Sequence, residues 1–384
     1  MKPGWRIETA LIHAGEPRPR IGGAVNLPIF QSSTFEMGGT EAGYHDVRYI
    51  RLNNTPNHVV VQGKLAALEG AEAALVTGSG MAAISATLLS VLAQGDHILC
   101  HRSLYGGTFD FITKDLPRFG IAFTLVDGDD PRTWSAAVRR TTRAFYVETL
   151  TNPLLEVLDL EGVVTFCRER GLVSIVDNTC ATPVNYRPIE RGFDLAVHSA
   201  SKYLNGHTDI VAGAVVGSAV HVGEAKRKLD HLGGTLDPHA CFLLHRGLKT
   251  LSLRVRHQNE TALRLAAFLE KHAAVTRVNY PGLARHPRHA RAAAWFAGFG
   301  GLMSFELGDD VAAARRFMER VRLPVDAPSL GGAETLMTRP ATTSHSGLSA
   351  GERKEQGISD ALIRISVGLE AADDLIEDFA QALT

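Results

Sequence analysis

Between residues 72 and 218 the chain alternates two kinds of segment, and this alternation restricts its fold more than any other feature. Seven apolar runs of strand length recur: AALVT (73–77), HILCH (97–101), AFTLVD (122–127), AFYVET (144–149), VSIVDNT (173–179), LAVHSA (195–200) and VAGAVVG (211–217). Between several of them lie stretches with helical periodicity, GMAAISATLLSVLA (80–93), YGGTFDFITKDL (105–116) and LEGVVTFCRERG (160–171). Strands that are apolar throughout, rather than alternating, are buried on both faces, and helices between them supply the cover. The expected fold class is therefore α/β, a mostly parallel sheet of about seven strands with helices on both sides. In such sheets a ligand sits beyond the carboxyl ends of the strands. That rule directs attention to Ser79–Gly80, Tyr105, Glu148 to Asn152, Asp177, and Ser199 to Lys202.

From about residue 246 the pattern changes. GLKTLSLRVRHQNETALRLAAFLEKH (247–272) reads as one long amphipathic helix, VTRVNYPGL, GGLMSFELG and ALIRISVGLE read as strands, and AADDLIEDFAQAL reads as a closing helix. This predicts a smaller α+β unit. The first seventy residues are loop-rich and polar, with too little apolar material to fold alone, so they are expected to wrap another part of the protein or a neighbouring subunit. The resulting division is an N-terminal arm (1–55), a large domain (56–245) and a C-terminal α+β domain (246–384).

Formal net charge is −1, which gives no electrostatic reason to expect nucleic acid or a membrane surface as partner. The four cysteines are scattered, with no CxxC pair or Cys/His cluster, so no metal site or disulfide framework is expected. The stretch MKPGWRIETALIHAGE lacks the apolar core of a signal peptide, and MAAISATLLSVLA is too short to span a bilayer, so a soluble cytoplasmic protein is expected.

Lys202 lies where the apolar run GFDLAVHSAS ends, flanked by the hydroxyls of Ser199 and Ser201. A lone lysine there is ordinarily a solvated surface charge. Asp177, however, ends the neighbouring run after VSIV, and a carboxylate so placed is half-buried and needs a cationic or hydrogen-bonding partner. A protonated pyridine nitrogen would serve. A lysine Schiff base together with an aspartate opposite a pyridinium is the pair that pyridoxal phosphate chemistry requires. The turn TGSGMAAI between a strand and a helix presents backbone N–H groups suited to a phosphate, although Ser79 could be only an N-cap. Tyr105, in LYGGT, could stack on the ring or simply pack in the core.

VDNT, followed 25 positions after Asp177 by the lysine of HSASKYLNGH, resembles the Cys/Met-metabolism family of pyridoxal phosphate enzymes, whose large domain has the type I fold of these enzymes. SGMAAI, YGGT, ETLTNPLLEVLDL, RGLKTL and GISDALIRISVGLE follow in that family's order. The resemblance implies Lys202 as the Schiff-base lysine and proton shuttle, Asp177 as the pyridinium partner, and Gly80, Met81, Ser199 and Ser201 as phosphate-binding positions. It implies Tyr105 as the stacked tyrosine, which also acts in proton transfer, and Asn152 as a residue near the cofactor hydroxyl. Arg364 matches the arginine for the substrate α-carboxylate, and Thr335, in SLGGAETL, a residue that helps hold substrate and lysine. YIRLNNTPN resembles a segment whose tyrosine and arginine, here Tyr49 and Arg51, reach the phosphate of a neighbouring subunit, implying a homodimer or homotetramer with shared sites.

The sequence departs from family patterns at Asn54-Thr55-Pro56, and at Arg48, where many cystathionine-specific members carry glutamate. It also departs at Gly107, where methionine γ-lyases usually carry cysteine, and at Leu229, near a lysine of those enzymes, though Asp230 matches. The implied activity is cleavage of a carbon–sulfur bond in a sulfur amino acid, cystathionine or methionine, giving 2-oxobutanoate, ammonia and a thiol. The alternatives are γ-replacement on an acylated homoserine, cystathionine β-elimination, or a non-catalytic cofactor-binding protein.

Overall fold

A computed structural model describes residues 5–39 and 46–384; residues 1–4 and 40–45 of the expected N-terminal arm lie outside the described residues. Along the chain come helices α1 (Ile7–His13) and α2 (Pro56–Glu69), then β1 (Ala73–Thr77), α3 (Gly80–Val91), β2 (His97–His101), α4 (Gly106–Asp110), β3 (Ala122–Val126), α5 (Pro131–Ala137), β4 (Thr142–Glu148), α6 (Leu160–Arg170), β5 (Val173–Asp177), α7 (Thr182–Asn185), β6 (Leu195–His198) and β7 (Gly213–Gly217). These strands form one sheet in the order β1-β7-β6-β5-β4-β2-β3. All run parallel except β7, which is antiparallel to both its neighbours, β1 and β6. The connection from β6 to β7 contains no full helix, so the chain cannot cross over and returns in the opposite direction.

Each strand buries alternate residues on opposite faces. Leu99, Phe145, Val147, Val176, Ala196 and Val216 join the core on one side, with Val61, Leu65 and Leu68 of α2. Leu75, Ile98, Cys100, Tyr146, Ile175, Val197 and Val215 join the core on the other side, with Ala83, Ile84 and Leu88 of α3. Period-two burial on both faces is the physical reason these runs are apolar at every position. The cysteines Cys100, Cys167, Cys180 and Cys241 are unpaired, and no helix is long and apolar enough to cross a membrane among the described residues.

The remaining elements are α8 (Ala219–Leu232), α9 (Pro238–Leu248), α10 (Leu251–Lys271), β8 (Arg277–Asn279), α11 (His289–Trp295), β9 (Leu302–Glu306), α12 (Val311–Arg320), β10 (Val325–Asp326), β11 (Leu336–Thr338), α13 (Ala350–Glu355), β12 (Ile363–Ser366) and α14 (Ala372–Ala382). A second sheet has the order β10-β11-β12-β9-β8. Its strands β9 and β12 pack Met303, Phe305, Ile363 and Ile365 against Leu265 and Leu269 of α10 and Leu375 and Phe379 of α14.

Two expectations need correction. The helix read over 247–272 is two helices. The Gly247 carbonyl accepts from the Thr250 hydroxyl at 3.2 Å and from Arg254 Nη2 at 2.8 Å, so side chains take over the end of α9 and α10 starts afresh at Leu251. The loop-rich reading of the first seventy residues missed α2. Ten of its fourteen residues are buried, from Asn57 to Glu69, so no polar stripe marks it as an amphipathic helix.

Candidate functional site

A cavity of about 720 Å³ opens beyond the carboxyl ends of β1, β4, β5 and β6, between the large sheet and the C-terminal segment that carries Ser329 and Arg364. Its lining includes Gly80, Met81, Tyr105, Asn152, Asp177, Ser199, Ser201, Lys202 and Arg364. The fold thus brings together nine of the twelve residues singled out in the sequence.

Each is held by local structure. Ser79 caps α3, its Oγ accepting from Ala82 N at 3.0 Å, and this sets the first N–H groups of α3, at Gly80 and Met81, at the cavity edge. Gly80 leaves no room for a side chain without movement: a Cβ there would lie 2.8 Å from Ser199 Cβ. The Ser201 hydroxyl accepts from Ala212 N at 2.9 Å, fixing the turn after β6 to the start of β7. Lys202 follows directly, and its Nζ donates to Ser329 Oγ at 2.7 Å. Burial, aided by the Arg364 guanidinium, pushes its ammonium pKa down, favouring the free amine.

Arg364, on β12, is buried; its Nη2 donates to the Ser329 carbonyl at 2.7 Å and its Nη1 to Asn152 Oδ1 at 3.5 Å. Its Nε has no hydrogen-bond partner. A buried donor left over in a cavity is what an incoming carboxylate satisfies.

Asp177 accepts at Oδ1 from Thr179 N at 2.9 Å, with Tyr146 OH at 3.5 Å from Oδ2. Among the described residues no lysine, arginine or histidine pairs with it. Burial raises its pKa, with Thr179 opposing. Glu148, buried beside it, accepts from Tyr105 N at 2.6 Å, and burial and the Asp177 charge push its carboxyl well above the usual range. Burial thus raises both carboxyls of this adjacent pair above the ordinary range, and a cation placed between them and the cavity would relieve it. Tyr105 is 45% exposed, its ring over the cavity edge, and a Cβ at Gly107 would sit 2.8 Å from that ring.

Three predicted residues lie elsewhere. Thr335 is fully buried away from the cavity, its hydroxyl donating to Glu370 Oε2 at 2.7 Å and accepting from Gly368 N at 2.9 Å. The residue in contact with the lysine is Ser329, six positions earlier, at the head of the same SLGGAETL stretch. Its φ of 102° is a strained conformation for a non-glycine residue, of the kind that collects at functional sites. Tyr49 and Arg51 do not line this chain's own cavity. Arg51 donates to the Asp230 carbonyl at 3.0 Å, and its guanidinium lies over the Tyr49 ring at 5.7 Å.

A pyridoxal phosphate fits these residues. A carboxylate without a cationic partner lines the cavity at Asp177, a close-approach cradle lies at Gly80 and Ser199, and a lysine with depressed pKa lines the same cavity.

Comparison with known proteins agrees. The family described as Cys/Met metabolism PLP-dependent enzyme matches residues 8–384. The chain belongs to this family. It is 42% identical over 384 residues to a cystathionine β-lyase of Bacillus subtilis, covering 100% of this chain and 97% of that one. It is 41% identical to an L-methionine γ-lyase of Pseudomonas putida, covering 99% and 97%. The structure of a cystathionine γ-synthase from Xanthomonas oryzae superposes with a TM-score of 0.95 at 38% identity, covering 99% of this chain and 98% of that one. The fold is that of the type I pyridoxal phosphate enzymes, and the protein is a pyridoxal phosphate-dependent enzyme of carbon–sulfur chemistry on sulfur amino acids.

Proposed function

We propose that this member is a lyase that eliminates the γ-substituent of a sulfur amino acid, cystathionine or methionine, to give 2-oxobutanoate, ammonia and a thiol. The observation that carries lysine-mediated chemistry on an amino-acid substrate, common to elimination and replacement, is the link from Lys202 Nζ to Ser329 Oγ and from the Ser329 carbonyl to Arg364, at 2.7 Å each. An α-carboxylate bound by Arg364 would bring the α-carbon beside the Lys202 amine, with Asn152 near the cofactor hydroxyl. Pyridoxal phosphate, when bound, withdraws electrons from that carbon and makes its proton acidic. Lys202 Nζ then takes the α-proton and returns it further along the chain, a role that the lowering of its pKa by burial favours. Tyr105, exposed at the cavity edge, would stack on the ring and act in proton transfer. Asp177 would hold the ring nitrogen protonated, and Gly80, Met81, Ser199 and Ser201 would hold the phosphate.

Ser199 and Ser201 offer no positive charge to a phosphate dianion. Arg51 and Tyr49 of a neighbouring copy would complete that pocket, in a cytoplasmic homodimer or homotetramer. The same residues serve γ-replacement, and the difference lies in whether a second thiol captures the intermediate. A substrate panel decides it. Cystathionine, methionine, homocysteine, cysteine and O-acylhomoserines are supplied with and without added thiol, and 2-oxo acids and amino acids are both quantified. 2-Oxobutanoate released from cystathionine or methionine without added thiol supports the reading. Pyruvate with homocysteine from cystathionine, or product only when a thiol is added, overturns it.

A further inference from the structure

The proposed site occupies one face of the sheet at the ends of β5 and β6, and the opposite face there holds a second group of buried polar side chains. Asp177 stands opposite Val197 in the β5–β6 register, so both point to the side of Ile175 and Tyr146. The next residue on each chain, Asn178 and His198, points the other way, toward α2. There both meet one atom: Glu69 Oε1 accepts from Asn178 Nδ2 at 3.1 Å and from His198 Nε2 at 2.7 Å. All three side chains are at most 2% exposed.

Glu69 is badly placed for stability. It is the last residue of α2, where a negative charge opposes the helix dipole, and no lysine or arginine pairs with it among the described residues. Its other oxygen, Oε2, makes no hydrogen bond. What its position accomplishes is to join two strand ends. Asn178 is bonded to the Asp177 it follows, and also donates to the Tyr186 carbonyl at 2.9 Å; His198 precedes Ser199, whose N–H donates to Thr179 Oγ1 at 2.8 Å.

We propose that Glu69 is a positioning residue, a single buried oxygen behind the sheet that fixes, through Asn178 and His198, the strand ends presenting Asp177 and Ser199 to the cofactor. The inference rests on the proposed roles of Asp177 and Ser199. It works by hydrogen-bond geometry through Oε1, and the residue's charge is incidental.

The test compares Glu69→Leu with Glu69→Gln, whose amide oxygen can still accept both bonds. Cofactor affinity is measured by dialysing holoenzyme against falling pyridoxal phosphate, and kcat and KM are measured at saturating cofactor. Glu69→Leu is expected to weaken cofactor binding and lower kcat by about tenfold or more, with KM within about twofold, since Arg364 lies on another element. Glu69→Gln is expected to recover most of both losses. Equal damage in the two variants overturns the proposal, as does Glu69→Leu with unchanged cofactor affinity.

If Glu69→Leu does not fold, two narrower variants carry the test. His198→Leu cuts only the Ser199 side and is expected to cost cofactor affinity more than kcat; Asn178→Leu cuts only the Asp177 side and is expected to cost kcat more than affinity. Identical or reversed patterns overturn the proposal. Asp177→Asn and Ser199→Ala are run alongside. If neither of them changes cofactor affinity or kcat, the fault lies with the reading of the site itself.

Discussion

Gly80→Ala is the sharpest structural perturbation of the proposed phosphate cradle. The added methyl would sit 2.8 Å from Ser199 Cβ and 3.0 Å from both its Cα and its Oγ. Non-bonded carbons rest at about 3.5–4.0 Å, so α3 and the turn after β6 must separate by about 0.7 Å or more. Overpacking of this kind costs about 1–3 kcal/mol, and here it acts directly on two elements that would share one ligand. If the strain is relieved on losing the cofactor, affinity falls by about 5- to 150-fold. Dialysis of holoenzyme against a pyridoxal phosphate series measures this, with far-UV circular dichroism to confirm folding. Gly223→Ala is the control. It lies in α8 with nothing within 4 Å of the new methyl, and should leave affinity alone while stabilising the helix by about 1 kcal/mol. A Gly80→Ala protein that folds and binds cofactor within about twofold of the parent would refute the reasoning, because the contact would then be absorbed without moving Ser199.

Four further outcomes are expected. Asp177→Asn should fold but lose activity by about 10²-fold or more, because a neutral amide cannot hold the ring nitrogen protonated; near-normal turnover rules this role out. Gly107→Ala should displace the Tyr105 ring, 2.8 Å from the new methyl, and lower kcat more than it changes cofactor affinity; unchanged kcat shows that the ring position is not critical. Arg51→Ala mixed with Lys202→Ala should recover up to about a quarter of the parent activity if sites are shared, since half of randomly paired dimers are mixed and each has one complete site of two. No recovery, with mixed dimers shown to form, means that Arg51 serves its own chain or does something else. Finally, burial pushes His101 and His345 down to about 4, so the folded protein resists protonating them. Their contribution is complete above the ordinary histidine value near pH 6.5 and is lost as pH falls toward 4, so the urea midpoint should drop between pH 7 and pH 5. A midpoint that rises over that interval contradicts the assignment.

The seven strands of the large sheet were legible because each is buried on both faces and therefore apolar at every position. The reversed direction of β7 was not, since direction depends on how the chain crosses from 199 to 212 rather than on the strand's own residues. Helix α2 escaped for the opposite reason to a surface helix: Val60, Val61, Leu65 and Leu68 bury one side while Asn57, His58, Lys64 and Glu69 are buried among polar partners, so hydrophobicity has no clear period. Lys202 and Asp177 stood out at strand ends and Arg364 through motif order alone, and the fold brings all three to one cavity. Ser329 was passed over for Thr335 because both are hydroxyl residues in one short stretch, and only the fold shows which meets the lysine. The link from Glu69 to His198 spans 129 positions, and nothing local in either segment announces it.

The account stands on Lys202 as the residue that bonds the cofactor, and one measurement addresses it. Holoenzyme is reduced with borohydride and digested, and the peptides are mapped by mass spectrometry. The added cofactor mass is expected on the peptide containing Lys202, and absent from it in Lys202→Ala. Finding the adduct on another lysine, including the buried Lys64, or finding none at all, contradicts the account.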